Sequence, residues 1–169
     1  PSVWLMKWKR CINTRTIKKH KAQLNVDGLK QVRGKHYEAT YAPVATWLTI
    51  RLVLTLAATL GWKTKQIEYV LVFPQAPVER PLYMNIPAGI NLKEADRKTH
   101  VLQLHKNVYG QRQADKVWFD YLLKKLIEDV GFVQSKIDPC LLYKGNILYV
   151  LYTNGSILAG PDEAALNKT

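Results

Sequence analysis

Tyr149-Val150-Leu151-Tyr152-Thr153-Asn154-Gly155-Ser156-Ile157-Leu158-Ala159-Gly160 reads as two apolar strands folded over a tight turn. Asn-Gly between hydrophobic runs is a strong hairpin signal, because both central residues of a type I′ turn need φ > 0. The expectation is a turn centred on Asn154 and Gly155. Just upstream, Leu141-Leu142-Tyr143 joins the strand Ile147 to Tyr152 through Lys144-Gly145-Asn146, so the chain closes on antiparallel strands.

Working back from this hairpin, Ala114 to Val130 carries Trp118, Leu122, Leu126 and Val130 at helical spacing, with Gly131 after it. Val101-Leu102-Gln103-Leu104 and Leu82-Tyr83-Met84-Asn85-Ile86 read as short strands, and residues 91–98 as a polar surface excursion. Lys63 to Phe73 reads as a strand, β-branched and aromatic from Gln66 onward and stopped by Pro74. One carboxylate, Glu68, interrupts that apolar run. A charge there is costly unless it is paired, metal-bound or turned to water. From Thr46 to Leu60 the pattern is helical. Leu48, Leu52, Val53, Leu56 and Leu60 mark the expected buried face, Thr46 or Thr49 caps the start and Gly61 the end. Residues 3–12 and 17–26 read as a hairpin in which Trp4 and Trp8 alternate with lysines. The pattern as a whole specifies an α+β fold with mostly antiparallel strands.

Charge narrows the function classes. The 169 residues carry 25 Lys+Arg against 13 Asp+Glu, a net charge of +12. Residues 1–35 hold ten bases and one acid, and so supply most of that excess. Such a balance suits a polyanion partner, with nucleic acid and a merely solvated basic surface as the two readings. Cys11 and Cys140 lie too far apart in sequence for a zinc motif or disulfide framework, which suggests a reducing compartment. No stretch reads as a signal peptide or a bilayer-spanning run, and the expectation is an intracellular protein, cytoplasmic or nuclear.

Several blocks then become recognisable in order. They are Tyr41-Ala42-Pro43-Val44-Ala45, Thr49-Ile50-Arg51-Leu52, Gln66 to Ala76, Leu82-Tyr83-Met84, Val108 to Ala114, Asp138-Pro139-Cys140, and Leu151 to Gly160. Together they resemble the reverse transcriptase of copia-type LTR retrotransposons, a fragment of a Pol polyprotein. The resemblance implies a right-hand polymerase core, one truncated domain without its thumb. Fingers would occupy roughly residues 1–62 and 79–105, and palm roughly 63–78 and 106–169. It implies RNA-directed DNA polymerase chemistry, in which three aspartates hold two Mg²⁺ ions that activate the primer hydroxyl and stabilise the leaving pyrophosphate. It also implies a template–primer of RNA or DNA, deoxynucleotides, and a polyprotein with integrase before this segment and RNase H after it.

Carried over by position, the first family aspartate falls on Glu68 and the adjacent pair on Asn154 and Gly155. All three depart from the pattern. Glu68 keeps a carboxylate displaced by one methylene, beyond the roughly 0.5 Å tolerance of a working site. Asn154 loses the charge and Gly155 the ligand, so Glu68 alone remains as a weak metal-binding candidate. The resemblance places Phe73 against the sugar 2′ position, Gln113 near the incoming nucleotide and template, and Tyr152 near the primer end. It places Arg51 and Lys21 near the triphosphate or template backbone. Gln23 stands where the family often has arginine, and Asp115 where it often has proline or a small residue. The expectation is a reverse transcriptase domain without polymerase activity in this copy. The alternative is a non-catalytic basic remnant that binds nucleic acid and has no polymerase role.

Overall fold

A computed structural model describes residues 2–167. The chain divides into two compact units, one of Pro1–Thr40 with Phe73–Val117 and the other of Tyr41–Val72 with Trp118–Thr169. Both are built from antiparallel strands with helices among them.

The first unit holds two ribbons. Strands β1 (Ser2–Arg10) and β2 (Ile17–Val26) pair antiparallel, as the alternating pattern predicts. Ribbon β4 (Pro77–Asn85) with β5 (Val101–Lys106) starts earlier than expected, because the Pro77–Pro81 stretch is already extended. A short helix α3 (Glu94–Thr99) stands where only a polar excursion was expected. Trp4 Nε1 donates to Ala88 O at 2.9 Å, which ties the first ribbon to the loop after β4.

The same unit contains a close backbone contact. The 3₁₀ turn Gly28–Lys30 follows β2, and Gly110 lies against it. A Cβ on Gly28 would collide with Gly110 O, and one on Gly110 would collide with Val26 O. Gly110 also has φ +89°. Only glycine meets both demands without strain. The approach is secured by Val26 N donating to Tyr109 O at 2.8 Å and by Arg112 Nε donating to Gly28 O at 2.8 Å.

The second unit is a five-stranded antiparallel sheet in the order β3-β9-β8-β7-β6. Its strands are β3 (Lys63–Glu68), β6 (Val133–Gln134), β7 (Leu141–Lys144), β8 (Ile147–Tyr152) and β9 (Gly155–Gly160). Helix α4 (Ala114–Glu128) starts in the first unit and continues into this one, where it buries Trp118, Leu122 and Leu126 as its periodicity predicts. A short helix α5 (Glu163–Asn167) follows β9. The strand expected over Lys63–Phe73 starts as predicted but is shorter. It stops at Glu68, Leu71 takes φ 54°, and Val72–Gln75 forms the short helix α2. A left-handed residue cannot continue a ladder, so Val70 and Leu71 turn out to solvent.

Helix α1 (Trp47–Thr59) has the predicted Thr46 cap, which accepts from Thr49 N, but of the predicted face only Val53 is fully buried. Thr49, Val53 and Ala57 are buried, while Leu48, Leu52 and Leu60 are 78%, 52% and 55% exposed. The reason is a polar anchor that periodicity does not see. Asp138, 4% exposed, accepts from Thr49 Oγ1, from Thr46 N at 3.2 Å and from Cys140 N at 2.9 Å. Holding Thr49 inward fixes the rotation of the helix. Cys140 is buried beside this carboxylate, and burial first, then the Asp138 charge, pushes its thiol up to about 12.

Burial opposes ionisation of Asp138, yet the hydrogen bonds from Thr49, Cys140 and Thr46 outweigh it and hold its pKa below the ordinary value. A depressed carboxylate stabilises the fold fully above its unfolded pKa, and the contribution fades as pH falls through the folded pKa. Asp138→Ala removes the acceptor of donors on Thr46, Thr49 and Cys140 and should lower stability by about 3 kcal/mol near neutral pH. Urea unfolding of the two proteins checks this, and the gap should narrow only in acid.

Candidate functional site

The candidate positions in the second unit are brought together by strand register. Glu68 pairs across β3–β9 with Gly155, and Gly155 pairs across β9–β8 with Tyr152. Tyr69 N then donates to Asn154 O at 2.8 Å, which extends the ladder one step past Glu68. Directly opposed residues project to the same face of a sheet. Glu68, Gly155 and Tyr152 therefore share a face with Gln66, Ile157 and Val150, and the opposite face carries Ile67, Ser156, Leu151, Leu158 and Tyr149. Glu68, Tyr152 and Asn154 are exposed. Trp47, Ile50, Gln66, Val150 and Tyr152 border an apolar recess of about 300 Å³ beside Gly155.

The hairpin turn differs from expectation by one residue. Because Tyr152 pairs with Gly155, Gly155 belongs to the strand and the two turn residues are Thr153 and Asn154. Only Thr153 of the pair takes positive φ, at 48°, so the turn is not type I′. A β-branched residue there is strained. The strain is held by the flanking ladder and by Trp118 Nε1, which donates to Thr153 O at 3.1 Å.

Below the hairpin runs a chain of hydroxyls. Tyr149 OH donates to Ser156 Oγ at 2.8 Å and meets Tyr69 OH at 2.5 Å. Burial pushes the Tyr149 pKa up, so the phenol stays protonated. With its one proton given to Ser156, Tyr149 accepts from Tyr69. The Tyr69 ring also packs edge-on to Trp118 at 5.5 Å. The residue after Glu68 is thus fixed from both backbone and side chain.

The donor set at these positions does not fit a pair of divalent cations. Mg²⁺ wants several oxygen ligands in near-octahedral geometry, chiefly carboxylate and water. Glu68 offers one carboxylate, Asn154 offers a neutral oxygen that already accepts from Thr153 Oγ1 at 3.2 Å, and Gly155 offers no side chain. No group of three or more His, Cys, Asp or Glu side chains suited to a metal occurs among the described residues. Space is not the obstacle. A Cβ on Gly155 would sit 3.6 Å from Tyr152 O and 3.7 Å from Ile67 O, an ordinary contact.

Of the other expected residues, Arg51 belongs to the second unit, exposed on α1 on the side away from Thr49 and Val53. Lys21, Phe73 and Gln113 belong to the first unit. Phe73 packs edge-on to Tyr109 with ring centroids 4.9 Å apart. Gln113 is buried against Gln31, whose Nε2 donates to Gln113 Oε1 at 3.0 Å. Lys21 lies directly opposite Lys7 in the β1–β2 ribbon, and Lys19 opposite Lys9. Like charges so placed repel, and an anion on that face would relieve the repulsion. Residue patterns alone did not single out Gln31, the hydroxyl chain or the anchoring of Thr46 and Thr49 by Asp138, since each acts through long-range pairing. The contact of Gly28 with Gly110, which frames the Gln31 region, is likewise visible only in the structure.

Comparison with known proteins identifies the family. A family model described as "Reverse transcriptase (RNA-dependent DNA polymerase)" matches residues 1–169. The chain is similar to the Retrovirus-related Pol polyprotein from transposon TNT 1-94 of Nicotiana tabacum, 28% identical over 98% of this chain and 12% of that protein. It is also similar to the Pol polyproteins from transposons RE2 and RE1 of Arabidopsis thaliana. Each of those is 33% identical over 91% of this chain and 11% of the relative. The chain thus spans only about a tenth of the length of the relatives it matches. No solved structure matches.

Strain at the turn is open to measurement. Replacing Thr153 by glycine removes a left-handed penalty of about 1 kcal/mol. Thermal unfolding of Thr153→Gly should show a small rise in Tm, whereas a fall would mean that the threonine is not strained.

Proposed function

Since the chain belongs to the reverse transcriptase family, as a domain of the kind found in copia-type retrotransposon Pol polyproteins, we propose that it forms the fingers and palm of such a domain and that this copy lacks polymerase activity. The observation that carries the proposal is the Glu68–Gly155–Tyr152 register with its Tyr69–Asn154 continuation. It brings together the three positions onto which the resemblance carries the family's aspartates, and at those positions this chain supplies one carboxylate. Phosphoryl transfer depends on neutralising charge on the triphosphate and activating the primer hydroxyl, and metal ions do both. With one displaced carboxylate and a neutral amide, no step of that reaction has its electrostatic support. Phe73, Gln113, Tyr152, Arg51 and Lys21 keep residue types suited to holding a nucleotide or primer end, so loss of chemistry need not mean loss of binding.

The second reading, a basic remnant that binds nucleic acid without polymerising, is favoured by the lysine pairs. Lys7 with Lys21 and Lys9 with Lys19 place four ammonium groups on one ribbon face, a placement that phosphates would neutralise. Its partner would be an RNA or DNA template–primer, contacted with little sequence preference. Residence inside the cell, in cytoplasm or nucleus, belongs to the same proposal.

A primer-extension assay on a recessed template–primer, with Mg²⁺ or Mn²⁺, should show no incorporation above background. Clear incorporation would overturn the inactivity reading. Binding of the same duplex should weaken steeply with salt. The double substitution Lys7→Gln with Lys21→Gln should reduce the log–log salt slope by about 2. An unchanged slope would remove the ribbon face from the interface.

A further inference from the structure

Gln113 is only 4% exposed, yet half of its amide is unspent. The orientation of that amide follows from two hydrogen bonds that begin on the backbone. Arg112 N can only donate, and it donates to Gln31 Oε1 at 2.8 Å. The other head atom of Gln31 is then Nε2, a donor, and it meets Gln113 at 3.0 Å. The Gln113 atom it meets must be the acceptor, Oε1. Oxygen and nitrogen of an amide are ordinarily assigned from their neighbours, and here a backbone N–H fixes the first and the first fixes the second. Gln113 Nε2 therefore faces away from Gln31 with both protons available. Asn107 Oδ1 is the one fully buried side-chain polar atom without a partner among the described residues, so Gln113 Nε2 is not wholly sealed in without one.

The frame around this relay is rigid. Gly28 and Gly110 bring the two backbones into contact, Arg112 Nε donates to Gly28 O, and Val108 N donates to Gln111 Oε1 at 3.1 Å. Asn25 and Tyr109 form a parallel bridge on the same segment. Gln31 leaves the 3₁₀ turn at Gly28–Lys30 with its side chain already committed at both ends.

We propose that Gln31 is a positioning residue that holds Gln113 as a donor-only amide, directed at a hydrogen-bond acceptor on a bound nucleotide, either an oxygen or a ring nitrogen. The nature of the ligand rests on the nucleic-acid reading above. The orientation of the amide does not. Gln31→Glu reverses the device. A carboxylate at that position still accepts from Arg112 N, but its second oxygen cannot donate. Gln113 must then turn, spend Nε2 on the new carboxylate and present Oε1 outward.

The test uses the ¹⁵N-labelled chain and a recessed RNA–DNA template–primer at low salt. In the unsubstituted protein the Gln113 side-chain amide protons should exchange rapidly with water. In Gln31→Glu they should become protected, with melting behaviour otherwise preserved, and duplex affinity should fall about tenfold. Because the substitution also adds a negative charge, it is repeated in a Gln113→Met background. There the loss should be clearly smaller. Gln113 exchange unaltered by Gln31→Glu, or an equal loss of affinity in both backgrounds, overturns the proposal. If the unsubstituted chain does not bind the duplex at all, the nucleic-acid reading fails, while the exchange measurement still decides the orientation.

Discussion

The hydrogen-bond ladder that runs β3–β9–β8 is the constraint on which the candidate site depends. It sets Glu68 against Gly155, Gly155 against Tyr152, and the Tyr69 amide on the Asn154 carbonyl. Slipping any strand by one residue would send every side chain to the other face. The apolar face below, with Leu151, Leu158 and Tyr149 buried, holds the register. The positions onto which the resemblance carries the family's acidic ligands are thus specified by packing, independently of which side chains occupy them. The residues that set this geometry are different from those that would carry ligand charge.

The same separation appears in the turn. Thr153 carries left-handed strain, exposed at the tip, while Asn154 and Gly155 beside it have neither charge nor strain to hold. Strain of this kind survives only where the surroundings over-determine the backbone. Here the surroundings are the ladder and the Trp118 bond to Thr153 O. In the other unit, the Gly28–Gly110 contact plays a comparable part for Gln31 and Gln113, since it fixes the backbone from which both amides project.

Much of this was legible in the residues. The first hairpin, α1, α4 and the last three strands stand where alternation, helical spacing and turn residues put them. What failed to show has identifiable causes. The leucines of α1 have the better apolar periodicity, but a buried carboxylate pulls Thr49 inward and turns Leu48 and Leu52 to solvent. The Asn-Gly pair is the favoured local turn, but the pairing of Gly155 with both Glu68 and Tyr152 claims it for the strand. The apolar run after Glu68 has strand composition, but Leu71 breaks it. In the first two cases a long-range polar or ladder contact overrides a local preference. The candidate residues were carried over by resemblance, while Gln31, which bonds Gln113, and Tyr149, which bonds the residue after Glu68, become visible only in three dimensions.

The central claim is that the register assembles the three positions and that charge alone is missing. Mn²⁺ binding, followed by the electron paramagnetic resonance of the free ion, tests it most directly. The unsubstituted chain is compared with a variant carrying Glu68→Asp, Asn154→Asp and Gly155→Asp, for which the Gly155 site has room. The account predicts weak binding by the unsubstituted chain and at least about tenfold tighter binding by the variant. Equal affinity in the two folded proteins would contradict it.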